Sequence, residues 1–220
     1  MLIQLESHPN HGATGRIRRE NECRIITAAE AEFARHGYKG ASIQKIAERA
    51  GLPKANIHYY FRSKLKLYAA VLAHILDMWD GLLGELDPAG DPAAEMEAYI
   101  RAKMRLTRQY PLASRIFGIE IMSGAPYLQE YFQDGYQDWF RERTAVFATW
   151  IARGEMDPVD PAHLIFLLWS STQHYADFSC QISSALGRQG NELEQADYEQ
   201  ATETLLHVIL KGCGLRKALD

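Results

Sequence analysis

The chain has 220 residues, 47% of them hydrophobic, which is enough for one large or two small domains around a sizeable core. Its net charge of −4 excludes a protein that coats nucleic acid along its whole surface, but the charge is uneven: residues 1–66 carry +6 and residues 67–220 carry −10. Three scattered cysteines without metal-ligand spacing argue against a disulfide scaffold or a zinc site, and no apolar run approaches the ~20 residues of a bilayer span.

Residues 1–15 read as a flexible arm, polar and glycine-containing, without the basic start and apolar stretch of a signal peptide. His8 and His11 could touch a metal, although a loose tail is the plainer reading, and no metal or cofactor is expected. A first helix is predicted from Ile17 to His36-Gly37, burying Ile25, Ile26, Ala29 and Phe33 and stopped by Gly37. Arg16, Arg18 and Arg19 at its start either meet phosphate or are an ordinary solvated helix end. Two short helices follow. Ser42 caps the first, Ile43, Ile46, Ala47 and Ala50 form its apolar face, and Gly51 makes the turn. Pro53 suits the first turn of the second, whose inner face is Ile57 and Phe61. Its outer face carries Lys54, Asn56, His58, Tyr59 and Tyr60, with Lys64 just beyond. Donors and flat rings turned outward from so short a helix suit insertion into a major groove.

A long helix is expected from Lys64 or Lys66 to Leu86, closed by the DPAGDP break at 87–92. Another spans Pro92 to Gln109, an apolar segment covers 112–124, and a single amphipathic helix is predicted over 127–153. After MDPVDP (156–161) an unusually apolar helix runs over 162–186, and a last one from about Tyr198 to Lys211. The fold class is therefore all-α, with about nine helices and no strand: a helix-turn-helix domain over 16–63 and a larger helical domain over 64–220. The cysteines Cys23, Cys180 and Cys213 are expected to be buried or partly buried thiols in a reducing cytoplasm.

The run GYKGASIQKIAERAGLPKANIHYYFRSKLKLY (37–68) closely resembles the TetR family of bacterial transcriptional regulators. The likeness rests on the spaced Ser and Ile-Ala of the first helix, the Gly turn, the aromatic-Phe ending and the Lys opening the next helix. ASRIFGIEIMSGAP (113–126) and DPAHLIFLLWSSTQHYADF (160–178) look like the branch that regulates pyrimidine utilisation in response to uracil and thymine. The resemblance implies a cytoplasmic homodimer that binds a double-stranded DNA operator and releases it on binding a small effector. It assigns base reading to Gln44, Lys54, Ala55, Asn56 and His58, and phosphate contact to Ser42, Tyr59, Tyr60 and Lys64. His58 stands where the family commonly has Tyr, so the operator is expected to differ.

Leu205, Val208 and Ile209 supply an apolar stripe on the last helix and are expected at the dimer interface, the alternative being an intramolecular core face. In the acidic region no catalytic constellation is present: His163 and His174 are eleven residues apart, too far to ligate one metal from a single helix face, and no Ser-His-Asp or HExxH pattern occurs. An enzyme is not expected. Trp169 and Gln173 lie four apart on one face, where an indole and a carboxamide could stack on and pair with a uracil-like ring. His174, Phe117, Glu120 and Trp79 are further candidate effector contacts. The same residues would also suit a packed core. Two rivals stay open: the same DNA-binding head with a more hydrophobic effector, and an all-helical binding protein or enzyme with no role at DNA.

Overall fold

The recurrence of apolar residues at helical spacing, punctuated by Gly and Pro, is realised as eleven helices among the described residues of a computed structural model, which are 13–188, 190 and 192–215. The arm candidates His8 and His11 lie outside them. In chain order the helices are α1 (Ala13–Gly40), α2 (Ile43–Ala50), α3 (Lys54–Phe61), α4 (Lys64–Gly84), α5 (Pro92–Gln109), α6 (Pro111–Met122), α7 (Gln129–Gln133), α8 (Tyr136–Ala152), α9 (Pro161–Asp177), α10 (Ser179–Ala185) and α11 (Gln195–Gly212).

Two compact units result. The first holds residues 13–77 and Arg115–Gly135, with a core of Ile25 and Phe33 from α1, Ile46 from α2, Ile57 from α3, and Leu67, Leu72 and Ile75 from α4. The second holds Met78–Ser114 and the described part of residues 136–220. Its core is built on Met96 and Ile100 of α5, Phe147 and Trp150 of α8, Ile165 and Leu168 of α9, and Leu206 and Ile209 of α11.

Two long helices expected from periodicity are each broken in two. The 127–153 stretch divides into α7 and α8 at Gly135, whose φ of 79° lies in the left-handed region where glycine alone is at ease. The 162–186 stretch divides at Phe178, where the backbone leaves helical geometry (φ −115°, ψ 25°) and the ring folds back on His174 at 4.6 Å. Gly37 does not end α1 but bends it, at φ 63°, and helical structure resumes to Gly40. The two DP pairs that read as stops are also starts. Asp91 and Asp160 accept from the N–H groups of Ala94 and His163, and Pro92 and Pro161 open the helices. Cys23 and Cys180 are exposed, contrary to expectation, and only Cys213 is buried. One helix, α4, is long and apolar enough to cross a membrane by length and composition. Its Leu67, Val71, Leu72 and Ile75 are wholly buried against protein instead.

Candidate functional site

The first unit presents a helix-turn-helix whose parts are fixed by short local contacts. Ser42 is extended at the start of α2, and its hydroxyl accepts from the Lys45 N–H. Gly51 turns the chain at φ 64°, its N–H donating to the Ala47 and Glu48 carbonyls. α3 then buries only Ile57 and Phe61. Lys54, Ala55, His58 and Tyr59 are exposed, Tyr59 by 74% of its surface, and Asn56 and Tyr60 are half-buried. On α2, Gln44 is exposed and donates to Glu48 at 2.9 Å. Arg62, at φ 60° a strained conformation for a side-chain-bearing residue, ends α3 by donating its N–H to the His58 carbonyl.

Residues that spacing gave no reason to single out hold this arrangement. Arg24 of α1 donates through Nη2 to the Ala50 carbonyl at 2.7 Å, clasping the turn so closely that a Cβ on Gly51 would lie 2.9 Å from it. Glu32, 3% exposed, accepts from the Ser42 backbone N–H at 3.1 Å. Asn21 donates to the Tyr60 hydroxyl at 3.1 Å. Lys64, expected at a phosphate, donates to the carbonyls of Lys39 and Ala41 and sits 5.0 Å from the centre of the Tyr38 ring. Its ammonium thus fastens the start of α4 to the α1–α2 junction. These contacts join residues 10 to 39 positions apart, which no local pattern reveals.

Glu120 also lies within the first unit. It is 3% exposed and accepts from the Tyr68 hydroxyl at 3.1 Å and from the Tyr127 N–H at 2.7 Å. Burial, reinforced by Glu120, pushes the Tyr68 hydroxyl well above its usual pKa. Tyr127 packs on Tyr38 at 4.6 Å between ring centres. Phe117 is half-buried in this unit as well.

Trp79, Trp169, Gln173 and His174 belong to the second unit. Along α9, Trp169, Gln173 and Asp177 recur every fourth residue and so share a face. α5 presents Tyr99 and Lys103, also one turn apart, to that region. The Trp169 indole N–H donates to the Tyr99 hydroxyl at 3.2 Å, and Lys103 lies 4.9 Å from the centre of the Trp79 ring. Burial drives the Tyr99 hydroxyl far above its usual pKa. The small polar residues of α9 are satisfied by their own helix: Ser170, Ser171 and Thr172 donate to carbonyls of Leu167 and Leu168. Gln173 differs, since its half-buried carboxamide makes no hydrogen bond among the described residues. His174 is exposed and stacked on Phe178. On α11, Ile209 is 4% exposed in the core, Leu205 packs against that core, and Val208 is 57% exposed. No cluster of metal-ligating side chains occurs among the described residues.

Residues 25–71 match the bacterial regulatory proteins of the tetR family, and residues 72–216 match the C-terminal region of YcdC-like proteins. The chain is 39% identical over 188 residues to the HTH-type transcriptional regulator RutR of Escherichia coli K12, covering 86% of this chain and 88% of that one. Among solved structures it is similar to a transcriptional regulator, SCO4942, of Streptomyces coelicolor, with a TM-score of 0.70 and 24% identity over 89% of this chain and 99% of that one. It is also similar to a Clostridium perfringens regulator described as a putative fatty acid metabolism regulator, with a TM-score of 0.65 and 18% identity over 88% and 100%. At such identities these two likenesses speak for the fold alone.

Proposed function

The chain belongs to the TetR family and is a DNA-binding transcriptional regulator rather than an enzyme, and from that premise we propose that it is a homodimeric repressor released from its operator by uracil or thymine. The observation that carries the DNA-reading half is the division of α3: Ile57 and Phe61 face inward, Asn56 and Tyr60 are half-buried, and Lys54, Ala55, His58 and Tyr59 are left to solvent. Asn56 can pair bidentately with adenine and Lys54 can donate to guanine, each such pair being worth about 1–3 kcal/mol of discrimination. Gln44, Ala55 and His58 complete the reading face. Ser42, Tyr59, Tyr60 and Lys64 are the phosphate contacts of this reading, Lys64 through the N–H groups at the start of α4, since its ammonium is held by the carbonyls of Lys39 and Ala41. One short helix reads too few bases, so two copies set their α3 helices in successive major grooves, roughly 34–36 Å apart. Apolar side chains left outward on α9 and α11, among them Phe166, Leu167 and Val208, support a second copy covering them.

The effector reading is supported by the second unit's α5–α9 face, where Trp169 supplies an indole and Gln173 both a donor and an acceptor for an imide edge. Release follows if the ligand favours the conformation of the dimer that spaces its two heads wrongly, and it acts only through its differential affinity for the two states.

The test is an anisotropy titration of the protein against its own upstream DNA, at rising salt and then with uracil or thymine. Affinity should fall steeply with ionic strength, as phosphate contacts require, and either base should free the DNA. Binding that ignores both bases but responds to apolar compounds would replace the effector. No preference over random duplex would refute the operator.

A further inference from the structure

One side chain on the outer face of α3 is held differently from its neighbours. His58 is exposed, yet its ring reaches back to the backbone, with Nδ1 3.4 Å from the Arg62 carbonyl oxygen. The Arg62 N–H in turn donates to the His58 carbonyl at 2.9 Å, so the two residues are joined in both directions. A helix that ran on would forbid this. Its carbonyls point toward the C-terminus and its side chains lean toward the N-terminus, which keeps a ring away from the carbonyl one turn further along. The left-handed turn at Arg62, φ 60° and ψ −44°, ends α3 and brings that oxygen within reach. A residue that carries a side chain holds such a conformation only where its surroundings enforce it.

The bond settles the tautomer. A carbonyl oxygen has no hydrogen to give, so the ring nitrogen that faces it, Nδ1, carries the proton. In the neutral imidazole Nε2 is then an acceptor, and it makes no hydrogen bond among the described residues. This sets His58 apart on the reading face. Lys54, one turn before it, only donates, and Ala55 does neither. Gln44 and Asn56 carry carboxamides that do both, and the Gln44 amide already donates to Glu48. The edges of the major groove answer an acceptor unequally. Adenine offers N6–H and cytosine N4–H, whereas guanine turns N7 and O6 toward it and thymine O4 and a methyl group.

We infer that His58 determines specificity through Nε2, which accepts from the exocyclic amino group of adenine or cytosine at one position of each half-site, in the tautomer that its bond to Arg62 imposes. This rests on the reading that α3 enters a major groove, and it names the base edge that one of its side chains selects.

The experiment begins by selecting sequences from random duplexes with full-length wild type, His58→Leu and His58→Lys, at about pH 8 to keep imidazoles neutral. The position under His58 is the one whose preference His58→Leu erases. It should be adenine or cytosine for wild type and should turn to guanine for His58→Lys, whose ammonium only donates. Wild type is then titrated against the selected duplex with single bases replaced. Purine lacks the amino group of adenine, 7-deazaadenine keeps it but lacks N7, and 2-pyrimidinone lacks the amino group of cytosine. Removing the amino group at that position should weaken binding about tenfold, and removing N7 there by less than about twofold. Asn56, pairing bidentately, would be sensitive to both losses at its own adenine. In His58→Leu the amino-group effect should vanish. Guanine or thymine at the His58 position, or sensitivity there to N7 but not to the amino group, overturns the acceptor. A selected motif in which no position depends on His58 overturns its role and leaves the head a DNA reader. No motif at all removes the operator reading and the inference with it. A wild-type scan that finds no position dependent on the amino group but not on N7 overturns the inference even if neither variant folds.

Discussion

α3 and α9 are both helices in which polar side chains interrupt an apolar pattern, yet they turn those side chains in opposite directions. α3 keeps Ile57 and Phe61 inside, half-buries Asn56 and Tyr60, and gives the remainder to solvent. α9 buries Thr172, half-buries Trp169 and Gln173, and carries them against α5. The difference decides what a mutation can reveal. On α3 a polar side chain can be removed without disturbing the core, so affinity for DNA and stability separate. On α9 and α5 such groups touch the core, so response to a ligand and stability are coupled.

The hardest way to break this contrast is through the second unit's core. Trp150→Ala should lower its stability by about 3–5 kcal/mol, the usual result of truncating a fully buried aromatic, measured by urea unfolding. A smaller loss would mean that the core collapses to fill the space. Lys103→Met should do the reverse and raise stability by an amount on the order of 3 kcal/mol at pH 7. The sign follows from linkage: the folded pKa of about 8 lies below the ordinary 10.5, so the charged form is penalised in the folded state. That penalty is complete below pH 8 and is relieved as pH rises toward 10.5. Wild-type stability should therefore climb relative to the variant across that window, and parallel pH profiles would contradict it. On α3, Asn56→Ala should weaken operator binding by about 1–3 kcal/mol while the melting temperature stays within a degree or two. A matching loss of stability would show that the side chain is structural. Ser42→Ala should be mildest, costing roughly 1 kcal/mol of stability in the first unit through its lost cap.

What the sequence revealed depended on how local the cause was. The Ser42 cap, the Gly51 turn and the Ile57–Phe61 inner face all lie within a few residues of one another, and each was legible. Helix periodicity located α5 to the residue, because Asp91, Pro92 and Pro111 mark its ends chemically. It overran at Gly135 and Phe178, since a single glycine or aromatic inside an amphipathic pattern does not declare a break. Arg24, Glu32 and Asn21 were invisible for a different reason: what they hold comes from another helix. Lys103 escaped notice because a lysine in a helical stretch ordinarily marks a solvated face, and only its burial shows otherwise. The stripe at Leu205, Val208 and Ile209, expected at the dimer interface, is split by the helix, which turns Ile209 into the core and Val208 out of it.

The tyrosine-lined path in the first unit has a mechanical consequence. Glu120 grips the backbone at Tyr127, Tyr127 leans on Tyr38, and Tyr38 shares its face with the ammonium that pins Lys39 and Ala41. Contacts that run unbroken in this way can act as a gear train: a push at Glu120 has a path of packed side chains to the first turn of α2. Loosening a single tooth, as Tyr38→Ala would, should leave the parts standing but let them slip past one another.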